Sequence, residues 1–88
     1  MAIVFDSEKD AANIAKHGVS LSSAAELVLD EAVVLEDRRK DYGEVRFNAY
    51  GPIGGVLYAL SFTLRGEDIR VISLRRAREK ELRQWLRR

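Results

Sequence analysis

The chemistry of this chain is concentrated near its end. The eleven residues from Arg65 to Arg75 hold Arg65, Arg70, Ser73 and Arg75, and Arg76 follows directly. A guanidinium presents a planar fork of donors that matches two oxygens of a phosphate, which makes arginine-rich segments suited to polyanions. Read as a strand, the segment alternates: Ile69, Val71, Ser73 and Arg75 fall on one face, Arg70, Ile72 and Leu74 on the other. Arg65 then stands at the turn end of the preceding strand and Arg75 at the exit of the last, roughly 20 Å apart along the strand axis. One phosphate cannot touch both, whereas an RNA strand lying across the sheet can.

Metal-free RNA cleavage needs a 2′-hydroxyl aligned on the adjacent phosphate, a group that takes its proton, and donors that stabilise the charged phosphorane. Arginine fills the last role but stays protonated, so it is no base. The groups able to move the proton are His17, a carboxylate such as Glu44, or Lys16 with a lowered pKa. Each has an ordinary role beside the catalytic one. A lone histidine before the helix-ending Gly18 commonly bonds the last carbonyls, and Glu44 can simply pair with Arg46. The stretch Arg75 to Arg88 carries seven basic residues and two acids. It reads as an amphipathic helix docking Leu82 and Trp85, or as a mobile basic helix that grips RNA or a partner.

These groups must be positioned by an α+β fold of order β-α-α-β-β-β-β-α, a mainly antiparallel sheet packed by helices. Ala2 to Phe5 is a short strand. Asp6 or Ser7 caps a helix in which Ala11, Ile14 and Ala15 recur at helical spacing, and Gly18 ends it. Ser20 caps a second helix with Leu21, Ala24, Ala25 and Val28 as its buried stripe. Strands follow at Ala32–Leu35, Val45–Tyr50, Val56–Leu64 and Ile69–Leu74, with turns at Pro52-Ile53-Gly54-Gly55 and Arg65-Gly66-Glu67-Asp68. A final helix runs from about Ala77 to Leu86, with Leu82, Trp85 and Leu86 on one side.

The 88 residues are expected to form one domain, 1–88, with 47% apolar and 33% charged residues. The absence of cysteine excludes disulfides, thiolate nucleophiles and Cys-based zinc sites, and one histidine excludes a His-rich metal site. No cofactor is expected. The longest apolar stretch, Gly55 to Leu60, is too short to span a bilayer, and Met1–Asp6 lacks the pattern of a signal peptide. A cytoplasmic chain with no membrane partner is expected. The net charge of +1 hides a division: residues 1–37 carry a net −6 and residues 38–88 a net +7. That asymmetry fits a half facing a polyanion, or two halves packed together. A helix over Leu21–Leu29 has no basic residue, which argues against autonomous DNA binding.

Across nearly the whole chain the sequence resembles the BrnT family of small toxins. The resemblance lies in Phe5-Asp6 before Lys9 and Asn13, then Lys16-His17-Gly18-Val19-Ser20, Ala24-Ala25 and Asp30. It continues in Tyr42-Gly43-Glu44 with Arg46 and Gly51, Thr63-Leu64-Arg65, Ile69-Arg70-Val71-Ile72-Ser73, Arg75-Arg76-Ala77 and Glu81. It implies a RelE-like ribonuclease of a type II toxin–antitoxin system that slows translation. It also implies a BrnA-type ribbon-helix-helix antitoxin, with DNA reached only through that partner. Arg65, Arg75 and His17 are then the expected catalytic residues, and Lys16, Arg70, Ser73 and Arg76 the expected RNA contacts. Where the family commonly has a tyrosine near the end of the last helix, this chain has Trp85, and Phe5 is followed directly by Asp6 without the family's common tryptophan. The alternative is a non-catalytic module that binds RNA or a partner.

Overall fold

The computed structural model describes residues 2–88. Met1, the first residue of the segment read for a signal peptide, lies outside the described residues. The elements run β1 (Ile3–Val4), α1 (Ser7–His17), two short 3-10 helices (Leu21–Glu26 and Leu29–Glu31), β2 (Val33–Asp37), β3 (Arg46–Ile53), β4 (Val56–Arg65), β5 (Asp68–Arg76) and α2 (Glu79–Leu86). The α+β expectation holds. The five strands form one sheet in the order β1-β5-β4-β3-β2, antiparallel except for the parallel pair β1–β5. The β3–β4 turn is shorter than expected, because Gly54 and Gly55 both adopt positive φ (56° and 82°) and close a two-residue hairpin by themselves. Strand β3 therefore runs on through Pro52 to Ile53.

One sheet face carries the core. Ala49, Leu60, Phe62, Val71 and Leu74 pack against Leu21, Ala24 and Leu27, and Phe47 stacks on Phe62 with ring centroids 5.4 Å apart. The spacing of Leu21, Ala24 and Leu27 is three residues, the period of a 3-10 helix. This corrects the α-helix expected over Leu21–Leu29: Ala25 and Val28, placed in its buried stripe, are exposed. The close approach depends on Gly51, where a Cβ would lie 2.9 Å from Leu27 Cδ2 and 3.0 Å from Ala32 Cβ.

Helix α1 also docks differently from its expected apolar stripe. Ala11, Ile14 and Ala15 are exposed, and the inward residues are Asp10, Asn13 and His17. Hydrogen bonds rather than hydrophobic burial fix it. Asp10 Oδ1 accepts from Leu21 N–H (2.7 Å) and from the Ser20 hydroxyl (2.9 Å), which sets Leu21 into the core. Asn13 is buried beside β5, beyond the end of the two-residue β1. Its amide donates to Leu74 O (2.8 Å) and Val19 O (2.9 Å), and its carbonyl accepts from Leu74 N–H (3.2 Å). One side chain thus does for Leu74 what a longer β1 would have done.

The register of β5 shifts just before Leu74. Ser61 pairs with Ser73 but Phe62 pairs with Val71, so Ile72 is an extra residue, a β-bulge. The simple alternation expected for this strand is therefore corrected. Leu74 joins Val71 on the core face, while Ser73 and Arg75 move to the opposite face, the one that carries Arg70 opposite Thr63.

Asn13→Ala leaves the buried N–H and C=O of Leu74 without their partner, and an expected loss of about 2–4 kcal/mol in unfolding free energy follows. Urea unfolding of the variant measures it, and a loss below about 0.5 kcal/mol would contradict the anchoring role.

Candidate active site

The sheet face opposite the core is partly covered by α2 and by the loop after β2, and a cleft of about 520 Å³ lies between them. Its floor is polar: Asn48, Tyr50, Ser61 and Ser73 come from β3, β4 and β5. One wall is Asp37 and Arg39. The other is Arg75 with Arg78, Lys80, Glu81 and Gln84 of the α2 segment.

Both walls are held by ion pairs. The Asp37 side chain is 2% exposed and takes the fork of Arg39, Nε at 2.9 Å and Nη2 at 2.8 Å, together with the Tyr42 hydroxyl at 3.0 Å. These bonds, the Arg39 side chain first, hold the Asp37 carboxyl well below the usual range. The Tyr42 ring lies under Arg46, whose guanidinium carbon is 4.1 Å from its centroid, and Thr63 donates to Val45 O at 2.6 Å. The loop that carries Arg39 is therefore tied to the sheet at both ends.

On the second wall, Arg75 Nη1 and Nη2 each reach a different oxygen of Glu81 at 2.8 Å. Glu81 Oε1 also accepts the Arg78 N–H at 2.8 Å, which caps the start of α2. The Arg75 hydrogen bond lowers the Glu81 pKa. Burial raises the Tyr50 pKa, and the negative charge of Glu81 raises it further, so Tyr50 stands in the cleft as a neutral phenol. The far end of α2 is pinned by Trp85 Nε1 donating to Glu31 O at 2.7 Å. No residue of α2 is fully buried, and Leu82, expected to dock, is 38% exposed.

The residues singled out in the sequence fall into several places. Arg75 and Ser73 meet in the cleft. Lys16 and His17 line a shallower groove beside it with Lys9, Asn13 and Ile72, and Ser73 borders both depressions. Burial lowers the His17 pKa, with the charges of Lys16, Arg75 and Arg78 adding to the effect, so His17 is neutral at pH 7. Arg65 lies six register steps from the level of Arg75, at roughly 3.3 Å a step, on the same face and 3.9 Å from Glu44. Glu44 pairs with Arg46 at 3.1 Å, its ordinary role. Arg70 shares that face, whereas Arg76 pairs with Tyr58 in register and falls on the other.

Sequence reasoning did not single out Glu81, Tyr50, Asp37 or Arg39 as cleft residues. Nothing in their spacing brings them together, since they come from α2, β3, β2 and a loop. The bulge did leave a trace: Val71-Ile72 breaks the alternation, and Leu74 resumes it one place out of phase. Among the described residues, no group of three or more His, Cys, Asp or Glu side chains is placed to hold a metal ion. No helix among them is long and apolar enough to cross a membrane.

This arrangement, a strand-built polar cleft ringed by guanidinium groups, suits a protein that acts on a phosphodiester. Residues 5–81 match the family described as the ribonuclease toxin, BrnT, of type II toxin–antitoxin systems. The chain belongs to the BrnT toxin family, which implies an RNA substrate and an antitoxin partner. A comparison with curated proteins gives no match.

Asp37 and Glu81 both have lower pKa values in the fold than in the unfolded chain. The stability they contribute is fully present above about pH 4.5 and is lost as pH falls toward the depressed values, because the unfolded chain then binds protons more readily. Melting temperature should therefore drop steeply below about pH 4.5, and less steeply in Asp37→Asn. Parallel pH curves for the two proteins would contradict the assignment.

Proposed function

We propose that this chain is a metal-independent endoribonuclease that inhibits translation by cutting RNA. The 2′-hydroxyl attacks the adjacent phosphate, and guanidinium groups supply the charge stabilisation that a metal would otherwise give. The observation that supports this best is the placement of Arg65, Arg70 and Arg75 on one sheet face, with Arg75 inside the cleft. Arg75 meets the scissile phosphate there. Arg39, Arg78 and Lys80 line the same cleft, while Arg70 and Arg65 continue the basic track along the sheet toward flanking phosphates. Lys16 and His17 edge the track at the adjoining groove, where neutral His17 accepts or donates a hydrogen bond to the RNA.

The partner in this reading is a BrnA-type ribbon-helix-helix antitoxin, and DNA is reached through it. The division of charge between residues 1–37 (net −6) and residues 38–88 (net +7) gives such a partner regions of opposite charge on which to dock.

A labelled RNA incubated with the protein in EDTA should yield fragments ending in 2′,3′-cyclic phosphate. Arg75→Ala should cut about 10²–10³-fold more slowly. Arg65→Ala should mainly weaken binding and flatten its salt dependence by about one phosphate contact. Arg83→Ala, on the outer side of α2 next to Glu79, serves as the folded control. RNA left intact by the parent protein, with and without ribosomes, would overturn the catalytic reading in favour of a binding module.

A further inference from the structure

The cleft holds a carboxylate that shares its guanidinium with the expected phosphate site. Arg75 offers five N–H groups in two forks. The fork made by Nη1 and Nη2 is filled by Glu81, and Nη1 also donates to Arg76 O at 3.2 Å. The fork made by Nε and the remaining Nη2 hydrogen has no partner among the described residues. A phosphate bound side-on to that fork shares Nη2 with Glu81 Oε2, which places the carboxylate next to the sugar oxygens flanking the phosphate.

We infer that Glu81 is the group that takes the proton of the attacking 2′-hydroxyl, with Arg75 bridging this carboxylate and the scissile phosphate. The inference rests on the ribonuclease reading above and names a residue within it. The other proton acceptors are less well placed. Each Asp37 oxygen already accepts two hydrogen bonds, Oδ1 from the Arg39 N–H and Nε and Oδ2 from Arg39 Nη2 and the Tyr42 hydroxyl, whereas Glu81 Oε2 accepts from Arg75 Nη2 alone. Glu44 pairs with Arg46 outside the cleft, and His17 lies in the adjoining groove. Tyr50 is already protonated.

In the step itself, the 2′-oxygen gives its proton to Glu81 Oε2 and forms a bond to phosphorus. The bond from phosphorus to the 5′-oxygen breaks, and that oxygen leaves with a proton from water. Glu81 then returns its proton to solvent, so the products are a 2′,3′-cyclic phosphate and a 5′-hydroxyl with no redox change. The groups facing Glu81 are Arg75 from β5, Arg78 from the start of α2 and Tyr50 from β3, with Asp37, Arg39 and Lys80 elsewhere around the cleft. The cations favour the carboxylate form, so the base is ready at neutral pH.

The test compares pH–rate profiles of kcat/KM on a short RNA in EDTA for the parent, Glu81→Gln, Glu81→Asp and His17→Asn, with thermal melts of each. Binding is read on the same RNA carrying a 2′-O-methyl group at the cut site. Glu81→Gln should lose about 10²–10⁴-fold in rate and lose the acid limb of the profile. Its affinity for the methylated RNA should stay within about threefold of the parent. Glu81→Asp should cut at an intermediate rate and keep an acid limb, and His17→Asn should keep it too. An acid limb that survives in Glu81→Gln, or vanishes in His17→Asn, would overturn the assignment. If Glu81→Gln fails to fold, Glu81→Asp decides, and loss of its limb overturns the assignment. A parent that cuts RNA while Glu81→Gln cuts equally well overturns this inference alone. A parent that leaves RNA intact overturns the ribonuclease reading and this inference together.

Discussion

Between Val71 and Ser73 the last strand carries one residue more than its neighbour, and the position of the cleft follows from that insertion. A strand side chain can point to only one of two faces, so a single extra residue exchanges the faces of everything beyond it. Without Ile72 as the extra residue, Leu74 would leave the core and Arg75 would be driven into it. With it, Leu74 is fully buried against the 3-10 helix while Arg75 and Ser73 face the cleft. The displaced peptide of Leu74 still needs hydrogen bonds at the sheet edge, and Asn13 supplies both. The bulge and the buried asparagine are two parts of one arrangement, because the first creates the phase that the second secures.

The two sides of the sheet are built on different physics. The core side excludes water with leucines, a phenylalanine pair and small residues, and Gly51 lets the 3-10 segment lie close. The cleft side is held by directional polar contacts: Asp37 with Arg39 and Tyr42, Arg75 with Glu81, Trp85 with Glu31 O. Hydrophobic docking of α2 would have closed over the floor of the sheet. A helix held by a few polar contacts at its two ends leaves the floor open, with Leu82 and Leu86 on its outer surface. A small chain can keep a charged cleft this way because each buried charge has a partner and no buried side-chain nitrogen or oxygen among the described residues is left unsatisfied.

Much of the fold was legible from local pattern. The succession of helices and strands along the chain, the glycine turns and the caps at Asp6 and Ser20 depend on neighbours a few residues apart, where periodicity and capping chemistry speak directly. Two helical segments bury a side other than the one their apolar spacing marks, with Ala11, Ile14 and Ala15 of the first and Ala25 and Val28 of the second exposed. In α1 the buried side is polar, because the helix meets the exposed peptides of a sheet edge, and those peptides need donors and acceptors. In the next segment the buried residues recur every three, the period of a 3-10 helix, so Ala25 and Val28 turn outward.

The sequence by itself determined the class of chemistry. It placed an arginine-rich hairpin at the end of an α+β chain, a division of charge between its halves, and the pattern of residues that marks the BrnT family. Only the tertiary structure decided which arginines share a face and which acid meets them. Arg65, Arg70 and Arg75 line up because of a register shift, a property of two strands together that neither strand carries alone. Glu81 meets Arg75 because α2 folds back over the sheet, and Asp37 comes to the same cleft from the opposite edge. Long-range pairing of this kind leaves no periodic trace, since chain separation and spatial distance are unrelated once the sheet has closed.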